Sequence, residues 1–192
     1  MPPKPKFTKE EIVSVALSIV SERGIDALTA RELGAKLGSS ARPIFTVFNG
    51  MEELQNEVRS AAMRLFEKMQ PEGTGDMPIF KQLGMKMILF GMKEPKLYQL
   101  IFMRETDRPM TFDDFFERLG ATAVTAIQVI ERDYGLNEKQ AKRLFENVWI
   151  YTFGIGTLCA TGVCSFSAEE LGQSLTTEFK AMLHFIREEK KE

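Results

Sequence analysis

T-A-R-E-L-G-A-K-L-G-S-S-A-R-P-I-F-T-V-F, residues 29–48, reads as two short helices joined by a tight turn. Thr29 stands where a helix is capped, and Glu32 three residues on completes the pattern of a capping box. Leu33 and Leu37 form one apolar stripe, and Gly38 sits where helices commonly end in the left-handed conformation. Ser39 or Ser40 is suited to cap a second helix, whose Ile44 and Phe48 face back to the first. Two short helices around a glycine turn form the helix-turn-helix pattern, in which the second helix enters the major groove of DNA. The alternative is an αα corner that serves packing alone.

The chain of 192 residues suits one large domain or two small ones, and 44% apolar with 27% charged residues is ordinary for a soluble protein. No apolar run approaches the ~20 residues that span a bilayer, so no membrane partner is expected. The opening M-P-P-K-P-K has no apolar stretch behind it and is no signal peptide, which points to a cytoplasmic location. Cys159 and Cys164 lie in apolar surroundings. A reducing cytosol disfavours a disulfide, and one His cannot complete a four-ligand zinc site with them, so both read as buried small hydrophobes and no metal is expected. Residues 1–50 carry seven basic and five acidic side chains, the remainder 18 basic and 22 acidic. A basic head on an acidic body fits a protein that touches phosphate at one end only.

Three prolines in the first five residues predict a disordered basic arm over 1–7. Thr8 opens the first helix with a second capping box; Ile12, Val13, Ala16, Leu17 and Val20 repeat at helical spacing, and Gly24 ends it. A further helix runs from about Glu52 to Met69 with Leu54, Val58, Ala61, Ala62, Leu65, Phe66 and Met69 inward. Pro71–Pro78 is a break. Beyond it every segment has helical period: 79–92, 95–104 opened by proline, a long helix from 111 to Tyr134, one from Asn137 to about Thr161, and a last one from Ser167 to Glu189. The expectation is an all-α protein of nine helices with no sheet. Its parts are a DNA-binding head at 1–50, a connecting helix at 51–70, and a ligand-binding and dimerisation body at 71–192.

Residues 16–40, A-L-S-I-V-S-E-R-G-I-D-A-L-T-A-R-E-L-G-A-K-L-G-S-S, with I-F-T-V-F-N-G-M-E-E-L at 44–54, resemble the head of TetR-family transcriptional regulators. The resemblance implies an all-helical chain with a three-helix head and a ligand-sensing body. It puts DNA contacts on Thr29 and Arg31, then on Ser39, Ser40, Ala41, Arg42, Pro43, Phe45 and Thr46. Independently, Ser and Thr hydroxyls and helix N-termini suit phosphate oxygens, Arg grips guanine O6 and N7 with two bonds, and Phe45 suits a thymine methyl. Three positions depart from the family pattern. Phe45 lacks the hydroxyl of the common Tyr, Met51 stands where lysine is common, and Pro43 lies early in the expected recognition helix. These bear on affinity and contacts, not on fold.

Residues 77–116 hold six of the 11 methionines and six of the 15 phenylalanines. Flexible, polarisable Met tolerates varied apolar partners. A pocket for a small apolar effector is expected among Met87, Phe90, Tyr98, Phe102, Phe116, Trp149 and Phe153, with plain core packing as the alternative. G-I-G at 154–156 is no nucleotide loop, because no strand precedes it, and no other motif asks for a cofactor. Its small residues suit close helix approach. Gly154 and Leu158, with Leu171, Leu175, Phe179, Met182 and Ile186 of the last helix, are expected to form an intersubunit four-helix bundle, the same two helices that the resemblance implies. A two-fold homodimer would set two recognition helices roughly 34–36 Å apart.

The expected function is a dimeric DNA-binding regulator, read as a repressor that a small effector releases from a double-stranded operator. The alternative is a helical ligand-binding or sensor protein with weakened or lost DNA binding. An enzyme is disfavoured: there is no Glu-x-x-His and no nucleophile paired with a base.

Overall fold

The computed structural model describes residues 5–70, 79–104 and 108–189. Residues 1–4 of the arm predicted over 1–7, and the break at 71–78 with Met77, lie outside the described residues. Among the described residues there are nine α-helices and no strand. They pack as two compact units: Met1–Met69 with Lys93–Arg104, and Gln70–Met92 with Glu105–Glu192.

In the first unit, α1 (Lys9–Arg23) opens with a complete capping box between Thr8 and Glu11 and closes at Gly24, whose φ of 85° suits glycine. Its Ile12, Ala16, Ile19 and Val20 are fully buried, while Leu17 is half-exposed and Ile19 takes the inward place predicted for it. α2 (Ala30–Lys36) is capped by the Thr29 hydroxyl, which accepts from the Glu32 N–H at 3.1 Å. The reciprocal half of that box is missing, because the Glu32 carboxylate pairs with Arg23 at 2.6 Å instead. α3 (Met51–Lys68) is held at its start by Glu53, which accepts from the backbone N–H and side-chain amide of Asn49. Leu54, Val58 and Ala62 are buried, but Leu65 is exposed, against expectation. α5 (Pro95–Phe102) packs on α1 and α3. Its Phe102 meets Phe66 edge-on with ring centroids 5.3 Å apart, and Glu94 just before it accepts from the Ser21 hydroxyl at 2.6 Å.

The expected second helix of the helix-turn-helix is not an α-helix. Residues 41–47 form turns around one 3₁₀ turn, Ile44–Thr46. The bonds run three residues back: Ile44 N–H to Ala41 O, Thr46 N–H to Pro43 O, Val47 N–H to Ile44 O. Proline has no N–H to give and disfavours α-geometry at Arg42 before it, so the four-residue ladder cannot start until Phe48. Ile44 and Phe48 nevertheless bury as predicted.

The second unit holds α4 (Ile79–Lys93) with α6 (Phe112–Leu119), α7 (Ala121–Tyr134), α8 (Glu138–Ala160) and α9 (Ala168–Glu188). Capping boxes at Thr111, Asn137 and Ser167 start α6, α8 and α9. The long helix predicted over 111–134 is two helices, broken at Gly120, where φ 55° and ψ −135° lie outside what a side chain with a Cβ tolerates. Nine helices result only because this extra break offsets the lost recognition helix. α4, α8 and α9 share a core of Met85, Ile88, Ile155, Leu171 and Leu175.

A Cβ on Gly34 would lie 2.9 Å from the Ser40 carbonyl carbon and 3.0 Å from the Ala41 nitrogen. Both are backbone atoms and cannot swing aside. Alanine has the better helix propensity by about 1 kcal/mol, yet overpacking of this kind costs about 1–3 kcal/mol. We expect Gly34→Ala to unfold at lower urea concentration in far-UV circular dichroism; an equal or higher midpoint would refute the close approach.

Candidate functional site

Gly34 brings the 39–41 turn against α2, and Ser39 N–H donates to Gly34 O at 2.9 Å. With Ile44 and Phe48 turned into the core, Phe45 and Thr46 between them face out. Thr29, Arg31, Ser40, Arg42 and Thr46 are exposed, Ser39, Ala41 and Pro43 half-buried, and Phe45 leaves 46% of its surface in solvent. Among the described residues, Arg31 and Arg42 form no ion pair, so two cations stand ready for an external anion. Two hydroxyls are occupied internally: Thr29 caps α2, and Thr46 donates to Pro43 O at 2.7 Å. Lys6 donates to Ser39 at 3.1 Å, which brings the basic arm to the same turn.

The residues expected around an effector are divided between the two units. Tyr98 and Phe102 belong to the first unit, where their rings lie 4.9 Å apart and Tyr98 is fully buried. Met87 and Phe90 are core residues of α4. Phe116 meets Phe145 edge-on at 5.7 Å, and Trp149 stacks on Phe145 at 5.6 Å. Phe153 is half-buried on α8.

Within the second unit lies a cavity of about 350 Å³. α4 lines it with Lys81, Leu83 and Gly84, and α7 with its last residue, Tyr134. α8 supplies Val148, Trp149 and Thr152; α9 supplies Leu175, Thr176, Phe179, Lys180 and Leu183. Of the expected effector set, only Trp149 is here. Gly84 keeps α4 close to α8: a Cβ there would come within 3.3 Å of the Thr152 hydroxyl, which donates to Val148 O. Burial, with Asp133 beside it, pushes the Tyr134 phenol up, so that it remains a neutral hydroxyl at physiological pH.

The expected dimer set needs correction. Leu171, Leu175 and Ile186 are buried in the chain's own core, and Phe179 packs on Tyr134 at 4.9 Å. Met182 is half-buried. The stripe on α9 faces inward, because an apolar face shows that a helix is covered but not by which partner. Gly154 and Leu158 are exposed. Ile150, four residues before Gly154, is 56% exposed, and Phe185 on α9 is 49% exposed. The periodicity had assigned neither. The two cysteines are free and half-buried, and burial raises the Cys159 thiol, keeping it protonated. No three-residue metal cluster occurs among the described residues, and no described helix is long and apolar enough to cross a membrane.

The sequence matches no family model, and no curated protein matches it. Solved structures do resemble it. A protein assigned to the TetR-family transcriptional regulators, from Vibrio parahaemolyticus, superposes with a TM-score of 0.55 at 17% identity, over 90% of this chain and 97% of its own. A single-site variant of TetR from Acinetobacter baumannii, in complex with minocycline, gives 0.53 at 18% identity over 95% and 98%. A regulator assigned to the same family from Mesorhizobium loti gives 0.54 at 21% identity over 92% and 95%. The chain has the fold of these proteins along nearly its whole length.

Proposed function

We propose that this chain, with the fold of the TetR-family regulators, is a DNA-binding transcriptional regulator of that family. The observation that carries the reading is the outward turn at 39–46, held by Gly34, with the unpaired cations Arg31 and Arg42 beside it. Arg42 and Phe45 suit base edges, while Arg31 and the N-terminus of α2 suit phosphates. The protein acts as a homodimeric repressor in the cytoplasm. The exposed Ile150, Gly154, Leu158 and Phe185 support pairing of α8 and α9 with a second copy, since exposed apolar side chains next to a glycine favour close helix contact. A ligand in the cavity of the second unit releases the operator by shifting the dimer between two states. The minocycline-bound neighbour supports a small-molecule site in a body of this fold. The effect cannot exceed the ligand's differential affinity for the two states, commonly about 1–3 kcal/mol.

Gel shifts on the DNA upstream of its own coding region test this. Arg42→Ala is expected to weaken binding by about 1–3 kcal/mol, and Arg31→Ala to lower the slope of log K against log salt by about one. Binding that ignores salt, or is unchanged in both variants, would remove the head from DNA. Ile150→Glu and Leu158→Glu, each placing a carboxylate in the apolar face, should shift the sedimentation mass from dimer to monomer; an unchanged mass would place the interface elsewhere.

A second reading is favoured by one observation, the 3₁₀ turn in place of a recognition helix. In it the head is a relic and the body a ligand-binding protein. It predicts no operator binding by the natural chain, and affinity created by Pro43→Thr together with Met51→Lys. Operator binding by the natural chain would dismiss it.

A further inference from the structure

We propose that the cavity of the second unit binds an amphipathic anion, a small molecule with an apolar body and one carboxylate-like group, rather than the purely apolar effector the sequence suggested. The inference rests on the regulator reading above and narrows the chemistry of its ligand. The walls are apolar, built by Trp149, Phe179, Leu175 and Leu183, but two lysines also line them and no described lining residue is acidic.

Among the described residues no carboxylate neutralises the lysines. Lys81 Nζ donates to Thr176 Oγ1 at 2.6 Å, and the Thr176 hydroxyl in turn donates a hydrogen bond to Gly172 O at 2.7 Å. That relay orients the Lys81 ammonium without cancelling its charge. Lys180 lies four residues after Thr176 on α9, hence one turn along the same face. Among the described residues neither lysine forms an ion pair. The Thr176 contact and the helical repeat thus put both residues on the α4–α9 side of the cavity, Lys81 half-buried and Lys180 exposed.

A neutral ligand that filled this space would strip water from the half-buried Lys81 ammonium and return nothing, with the exposed Lys180 adding positive charge to the same wall. A cationic ligand would be repelled. An anion recovers the lost hydration through charge-assisted hydrogen bonds, while its apolar part covers Trp149 and Phe179. The volume of about 350 Å³ is near the lower end for ligand sites and suits a compact molecule.

Trp149 is the only tryptophan in the chain and lines the cavity, so its fluorescence reports occupancy. The full chain is titrated with decanoate, decanol and decyltrimethylammonium. Decanoate should bind roughly tenfold or more tighter than decanol, and the cation weakest. Lys81→Met with Lys180→Met should abolish the preference, weakening decanoate and tightening decanol, whereas Lys81→Arg should keep it. Decanol binding as tightly as decanoate, a preference that survives the double substitution, or no binding of any probe would overturn the proposal. Decanoate binding with this pattern supports the anion site even where a gel shift shows no effect on DNA; that last result would count against the regulator reading alone.

Discussion

The absence of one methylene-sized group, the Cβ of Gly34, sets the geometry on which the head depends. The turn at Ser40 and Ala41 lies so close to α2 that its backbone occupies the space a side chain would fill. Backbone-to-backbone contact of this kind has no soft coordinate, since neither partner can change rotamer. Everything downstream follows from it. The Ser39 N–H reaches Gly34 O, Gly38 takes the left-handed conformation at φ 63°, and Ile44 and Phe48 drop into the core below. Arg42, just before those two anchors, and Phe45, between them, face solvent.

That head was legible from sequence in its punctuation. Thr8, Thr29, Thr111, Asn137 and Ser167 all cap helices as their spacing with an acidic or amide residue three positions on implies, because capping is a local hydrogen bond. Gly24, Gly38 and Gly135 adopt positive φ for an equally local reason. What failed was competition between local signals. Glu32 was free to close a capping box but found Arg23, nine residues earlier, a stronger partner. Pro43 was tolerable in the first turn of a helix, yet the turn it enforced never extended into one. Gly120 carried no flanking proline or polar cluster, so its break inside a run of good helix formers left no trace in the pattern.

In the body, the apolar positions were read correctly as apolar and incorrectly as to what covers them. Hydrophobic periodicity reports that a face leaves water; it is silent on whether another helix, a ligand or a second subunit lies opposite. Leu171, Leu175 and Ile186 were therefore assigned outward when they close the chain's own core. The abundance of Met and Phe over 77–116 drew attention to Tyr98 and Phe102, which buttress α1 and α3 from α5 instead. The lysines of the cavity wall carried no periodic signal at all. Only the Lys81–Thr176 contact, across 95 residues of chain, brings them into view.

α8 shows why single positions there separate into distinct effects. At 3.6 residues per turn its faces divide cleanly. Leu144, Phe145 and Ile155 enter the core, Val148, Trp149 and Thr152 line the cavity, and Ile150, Gly154 and Leu158 form an exposed row at four-residue intervals. A polar atom in the cavity wall would normally be costly, but Thr152 returns its proton to Val148 O and so presents a satisfied hydroxyl. The exposed row can then change without touching the cavity, because no residue belongs to both. Changes at Val148 or Trp149 have no such freedom, since Trp149 also stacks on Phe145 and through it bears on α6. Any ligand that moves the Trp149 ring must therefore disturb the core of the second unit, which gives occupancy of the cavity a route into the packing of the helices around it.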